Sequence, residues 1–305
     1  MSTIGFIGFG QVAGTLSRAL IARGARVFAY DVLLDQDGGR EVLQKRAEGL
    51  DVCFCALPDM LAQVDDVLCT AATHVAIGIA EQCAPLLRSG QIYLDLNSTS
   101  PAVKVEIARI VDRSPADFVE GAILGAVGTD GAGVRVLVCG ERGPEVADRL
   151  TGLGLNLGFY GSEIGRASAF KMLRSIFAKG LEALLIEFLV AARRAGLEHE
   201  LWDEIVETMG RHSFEEAAAN WVLTHSIAHE RRYHEMVEVT RTMREMGIEP
   251  VIAAATEAFF ERSLSLGLGD AFASKPEEME RVIAFIEQNL GDSRHVVHKA
   301  KDGIA

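Results

Sequence analysis

Apolar residues fall along this chain in two different rhythms. In the first half, short apolar runs (TIGFIG, ARVFAYD, DVCFCALP, QIYLDLN, DFVEGAIL and VRVLVCG) alternate with helical segments such as QVAGTLSRALIARG. Strand followed by crossover helix, repeated, predicts a mostly parallel sheet. Runs that stay apolar without strict alternation, as in DVCFCALP, fit strands covered by helices on both faces. The first half is therefore predicted to be a doubly wound α/β domain. Beyond about Tyr160 the strand-like runs stop and long helical periodicities ended by glycines take over, predicting an all-helical second half. A long helix joins the two, with Ser162 as N-cap and Glu163 in its first turn, running without proline to Ala195, where Gly196 stops it. At 1.5 Å per residue it would be roughly 50 Å long. A helix so rich in Leu, Phe and Ala needs several neighbours or a second subunit. The domains are thus residues 1–161 and 162–305. In the second, Phe214 and Trp221 are predicted core residues, and Phe259, Phe260 and Leu264 a packing stripe. The tail from Asp292 reads as mobile or as a subunit contact.

A chain of 305 residues that is 49% apolar can fill two cores of ordinary size. Its formal net charge of -13 argues against nucleic acid or an anionic membrane surface as partner. No uncharged apolar stretch reaches the roughly 18 residues of a membrane span, and the start shows no leader pattern, so the expected setting is the cytoplasm. The five cysteines have no metal-ligand spacing and read as buried free thiols. His225 and His229 lie four apart on one helix face, but no matching Glu lies inside the pair, the third ligand would have to be Glu230, His234 or something distant, and no metal is predicted.

The chemistry begins at Thr3–Leu20, where a strand runs into Gly8-Phe9-Gly10-Gln11-Val12-Ala13 and then a helix. Gly8 permits the tight turn, Gly10 lets a pyrophosphate approach the backbone, and Ala13 lets helix and strand pack closely. The helix N-terminus offers its free N–H groups to the anion. Some twenty residues on, Asp31 ends the second strand, where its carboxylate can accept from ribose hydroxyls and repel a 2′-phosphate. This Rossmann-type turn predicts a bound dinucleotide, NAD in preference to NADP, although Arg26 or Arg40 would be placed to receive a 2′-phosphate.

The order GFIGFGQVAG, Ala56-Leu57-Pro58-Asp59, Asp95-Leu96-Asn97-Ser98-Thr99-Ser100-Pro101 and Gly165-x5-Lys171 resembles the β-hydroxyacid dehydrogenases, which include 3-hydroxyisobutyrate and 6-phosphogluconate dehydrogenases. The resemblance spans most of the chain. It implies that Leu57, Pro58, Asn97 and Ser98 neighbour the cofactor, Ser98 also the substrate, and that Lys171 exchanges the substrate hydroxyl proton while hydride passes to or from the nicotinamide. Forming or reducing a carbonyl needs such a proton partner. Ser175, one helical turn beyond Lys171, stands where relatives carry an asparagine.

The pattern also departs from the family. Leu124 and Ala126 flank Gly125 where relatives have a serine and a glycine that receive the substrate carboxylate. Arg231 and His234 fall near the register of a Lys-Asp pair and are candidates to clamp an anionic substrate. The expectation is an NAD(P)-dependent dehydrogenase acting on a small hydroxy acid or related alcohol, working as a homodimer. An imine reductase-like enzyme and a non-catalytic dinucleotide-binding sensor are the alternatives.

Overall fold

The structure, a computed structural model, describes residues 2–291, so the tail from Asp292 lies outside the described residues. The chain forms two compact units that meet in sequence between Phe177 and Ala178. The sequence placed the boundary at 161/162. The first unit instead takes in the opening three turns of the long helix.

The first unit is an eight-stranded sheet: β1 (Thr3–Ile7), β2 (Arg26–Tyr30), β3 (Val52–Phe54), β4 (Asp66–Cys69), β5 (Ile92–Asp95), β6 (Asp117–Leu124), β7 (Arg135–Cys139) and β8 (Asn156–Gly161). The order is β3-β2-β1-β4-β5-β6-β7-β8. Every neighbouring pair is parallel except the antiparallel β6/β7. Two strands went unforeseen. β4 is only four residues, Asp-Val-Leu-Cys, yet fully buried between β1 and β5; β8 is a half-exposed edge strand with two glycines.

Helices α1 (Gln11–Ala22), α2 (Gly39–Arg46), α3 (Leu57–Leu61), α4 (Ala76–Cys83), α5 (Pro101–Val111), α6 (Val127–Asp130) and α7 (Gly143–Gly152) connect the strands. Alternate strand residues enter opposite cores, as a period of two requires. Ile4, Phe6 and Leu94 pack with Leu16, Leu20 and Leu150 on one side. Ile7, Val67 and Tyr93 pack with Ile107, Val111 and Phe118 on the other. Each fully buried leucine or isoleucine contributes about 2 kcal/mol through its apolar area.

α8 (Arg166–Ala195) begins three residues later than predicted, and Ser162 is not its cap. Gly161 and Gly165 take φ of 153° and 98°, which keeps this stretch out of the helix. The cap comes from far away in sequence. The buried Glu120 carboxylate of β6 accepts the Gly165 and Ser168 N–H groups, each at 2.6 Å. An acid against these otherwise orphaned donors also suits the helix dipole.

The second unit holds the rest of α8 with α9 (Glu198–Gly210), α10 (Phe214–Glu245), α11 (Val251–Leu264), α12 (Leu268–Ala271) and α13 (Met279–Asn289). A capping box of Ser213 and Glu216 starts α10. Glu187 of α8 caps α11, accepting the N–H groups of Val251, Ile252 and Ala253 at 2.8 Å. Phe214 and Trp221 are 55% and 49% exposed, against expectation, because this unit has more apolar helix surface than it covers itself. Phe259 and Leu264 are likewise part exposed. Among the described residues no helix is long and apolar enough to cross a membrane.

Candidate functional site

The carboxyl ends of β1, β4, β5 and β6 converge at the glycine turn. Gly8 has φ 81°, and a Cβ there would lie 2.8 Å from Ala71 Cα, so glycine is required. Thr70 Oγ1 donates to Gly8 O at 2.8 Å, and Gly8 N donates to Tyr30 O at 2.8 Å. At Gly10, which precedes α1, a Cβ would meet nothing within 4 Å, and no side chain caps the helix. The first N–H groups of α1 therefore open onto free space. That is the donor set a dinucleotide pyrophosphate fits.

Asp31 has a further role. Its Oδ2 accepts Phe9 N at 2.8 Å and its Oδ1 accepts Leu33 N at 3.0 Å, tying the glycine turn to the end of β2. Each oxygen keeps a lone pair for a ligand hydroxyl. Phe9 itself is spent on structure. Its ring is buried edge-on against Phe54 at 5.0 Å, its N–H serves Asp31, and its carbonyl accepts Arg46 Nη1 at 3.2 Å. Arg26 begins β2 while Asp31 follows its end, roughly 15 Å away along the strand, so Arg26 cannot share a ligand group with Asp31. Arg40 donates to Phe54 O at 3.3 Å. Tyr30 donates to Asp35 Oδ2 at 2.8 Å; burial and that carboxylate push its hydroxyl up to about 12. Arg18 and Arg46, not foreseen as site residues, line a groove of about 540 Å³ with Gly10, Gln11 and Gly14.

A cavity of about 330 Å³ lies beside the turn. It is lined by Gln11, Val12, Thr70, Ala71, Thr73, Leu96, Asn97, Ser98, Ile123, Gly125, Val127 and Lys171. Five positions predicted for cofactor or substrate (Gln11, Val12, Asn97, Ser98 and Gly125) thus meet Lys171 in one place. Among the described residues lining it, Lys171 alone ionises. Its Nζ donates to Ser98 Oγ. Ser175 does not reach the amine: its hydroxyl donates to the Lys171 backbone carbonyl at 2.8 Å, because a serine in a helix bonds back one turn. Leu124 turns away to pack with Ala122, Leu137 and Ala167. Leu57 packs in the core, and Pro58 occupies the first turn of α3.

Behind the cavity lies a buried polar network. Lys104 and Asp95 form an ion pair at 2.7 Å with both side chains at most 1% exposed. Asp95 Oδ1 accepts Asn97 Nδ2 at 2.5 Å, and Asn97 Nδ2 also donates to Cys69 Sγ at 3.1 Å. Burial pushes the Cys69 thiol up to about 11. Cys53 is exposed, unlike the prediction, because β3 is an edge strand.

The remaining candidates lie in the second unit. Arg231 pairs with Glu235 and both line an open groove on α10 together with His234, whose ring lies 5.2 Å from that of Tyr233. His225 and His229 are core residues: His225 Nε2 hydrogen-bonds Ser263 Oγ at 3.1 Å, and His229 Nδ1 the His225 carbonyl at 3.2 Å. Among the described residues no group of three or more His, Cys, Asp or Glu is placed to hold a metal ion.

Comparison with known proteins adds a lineage. The family described as the NAD binding domain of 6-phosphogluconate dehydrogenase matches residues 3–150, and a domain of unknown function matches residues 192–263. A solved conserved protein of unknown function, described as structurally similar to 3-hydroxyacid dehydrogenases, is 31% identical, with 93% of this chain and 98% of that one covered and a TM-score of 0.58. The 2-(hydroxymethyl)glutarate dehydrogenase of Eubacterium barkeri is 24% identical over 95% of this chain and 96% of its own length. The reductive aminase of Aspergillus terreus shares the fold at 13% identity, with a TM-score of 0.72 over 94% of this chain and 99% of its own.

Proposed function

The chain belongs to the β-hydroxyacid dehydrogenase superfamily, and from that premise we propose that it is a nicotinamide-dependent oxidoreductase interconverting a small hydroxy acid, or related alcohol, and its carbonyl. The observation that carries this reading is the Lys171–Ser98 hydrogen bond across the cavity beside the glycine turn. A bound nicotinamide would supply or accept the hydride. The protein's part is to hold a proton at Lys171 Nζ, within reach of the substrate oxygen, and to give or take it as the carbon changes oxidation state. Ser98 Oγ fixes the direction of Nζ, and Ile123 and Val127 keep part of the wall dry. The ammonium also favours an anionic substrate.

NAD is the preferred dinucleotide in this reading. Asp31 and Asp35 place negative charge at the end of β2, and Arg26 lies at the strand's other end. We also propose that the functional form is a homodimer, since the second unit leaves large apolar side chains exposed.

Calorimetric titration with NADH and NADPH, followed by turnover on a panel of hydroxy acids and imines, tests the assignment. NADH binding with turnover of a hydroxy acid is expected; turnover of imines alone would overturn it. Asp31→Ala loses the brace on Phe9 for either cofactor, so the ratio is the readout. NADH should weaken about tenfold more than NADPH, and equal loss removes Asp31 from the ribose.

A further inference from the structure

The Asp95–Lys104 pair is unusual because neither group reaches the cavity. Lys104 Nζ donates to Asp95 Oδ2 at 2.7 Å, Asp95 O at 2.8 Å and Gly121 O at 3.3 Å, which uses all three of its protons. A buried ion pair is a poor source of stability, since a well-packed apolar pair often does as well. What this pair does supply is direction. Asp95 Oδ1, which can only accept, receives Asn97 Nδ2 at 2.5 Å and Asn97 N at 3.3 Å. The second Nδ2 proton goes to Cys69 Sγ at 3.1 Å. Both donors of the carboxamide are therefore engaged on the protein side. Its oxygen, on a residue only 5% exposed that lines the cavity, has no hydrogen-bond partner among the described residues. Native proteins rarely leave a buried acceptor so.

A carboxamide can present either end to a ligand, and a carboxylate behind it allows only one. We propose that Lys104 and Asp95 are positioning residues that hold Asn97 with its oxygen toward the cavity, so that this wall takes a hydrogen-bond donor: the carboxamide amino group of a nicotinamide dinucleotide. The inference rests on the dinucleotide reading above. Of the groups on a nicotinamide ring, that amino group is the sole N–H donor. Ser98, the next residue, holds Lys171, so a donor met by Asn97 lies beside the proton partner.

The test compares NAD with its 3-acetylpyridine analogue, in which a methyl replaces the amino group, by calorimetric titration of the full chain. If the chain binds the 2′-phosphorylated dinucleotide instead, the corresponding pair is used. Wild type should bind NAD about tenfold more tightly than the analogue. Asn97→Ala should bring the ratio to within about twofold. Lys104→Met leaves Asp95 unpaired and can impair folding, so the double variant Lys104→Met/Asp95→Asn, which removes both charges, is measured beside it. The neutral carboxamide that this variant carries in place of the Asp95 carboxylate can face Asn97 either way, and the ratio should again fall to within about twofold while thermal unfolding stays cooperative. A double variant that binds both dinucleotides more weakly but keeps the wild-type ratio would show a structural role only and overturn the proposal. Equal binding of the pair by wild type overturns it too. If wild type binds no dinucleotide, the functional reading falls and takes this inference with it.

Discussion

The two units treat their apolar residues in opposite ways. In the first, large side chains of the sheet, such as Ile4, Phe6, Ile7, Val67, Tyr93 and Val119, are at most 2% exposed. In the second, α9 has no buried residue at all, although Trp202, Ile205, Val206 and Met209 give it an apolar face. On α8, Ile186 and Val190 are 58% and 51% exposed. A unit that closes its own core can fold on local information plus sheet pairing, whereas a unit that leaves such faces open is completed by something else. The polar chemistry divides the same way. The first unit buries the Asp95–Lys104 pair and half-buries Lys171, whose amine meets the exposed Ser98; the second holds Arg231 in an exposed pair with Glu235.

That division has its largest consequence in turnover. Lys171→Met should lower kcat about a thousandfold, the usual scale for a lost acid–base group, and leave dinucleotide affinity within about twofold. Arg231→Ala and His234→Ala should change kcat by less than about tenfold and act chiefly on KM. A second-unit variant as damaging to kcat as Lys171→Met would break the comparison.

Next in size is the effect on assembly. Wild type is expected in light scattering at twice the mass of one chain. Ile186→Glu with Val190→Glu, two charges one turn apart on an exposed apolar face, should weaken association about a hundredfold or more and give single chains. Val42→Glu on α2, 45% exposed in the self-sufficient unit, should leave the mass unchanged. A wild type of single-chain mass would mean that the exposed helical faces do not meet a second copy.

The same contrast explains what was legible in the sequence. Six of the eight strands announced themselves because their runs are mostly apolar, as from Val136 to Cys139 in VRVLVCG, while β4 was hidden because its apolar run, Val67 to Cys69, is only three residues between Asp66 and Thr70. The glycine turn and Lys171 were readable because their requirements are local, a tight turn followed by a helix and a lysine at a set distance from Gly165. Glu120 as cap of α8 was not, since 45 residues separate it from Gly165. Lys104 did leave a trace: Ile107, Ala108 and Val111 lie three, four and seven residues beyond it, which puts the lysine on the buried stripe of α5. Taken one residue at a time, it looks like any solvated helix lysine. In the second unit the helices were evident but their neighbours were not, because amphipathic periodicity says that a face must be covered and not by what.

The smallest expected effect is a near cancellation. Each unit buries one group whose titration is displaced within the mildly acidic range. Burial pushes the Asp66 carboxyl up to about 6 despite its Arg149 partner. The folded chain then holds that proton more tightly than the unfolded one. The stability Asp66 contributes is full below its ordinary value of 3.8 and is lost as pH rises through about 6. Burial, then the neighbouring His229 and Arg232, pulls His225 down to about 4 from 6.5. Its contribution is full above 6.5 and is lost as pH falls through about 4. The two contributions have opposite sign across the shared window from pH 4 to 6. If the chain unfolds as one, the contributions of these two groups should largely cancel over that window. If the units unfold separately, calorimetry at successive pH values should show the second melting earlier as acid is added while the first holds or gains. Asp66→Asn should then flatten only the first unit's pH dependence, and His225→Phe only the second's. A single transition that each substitution tilts, in opposite directions, would join the two units into one cooperative body and remove the energetic half of the comparison.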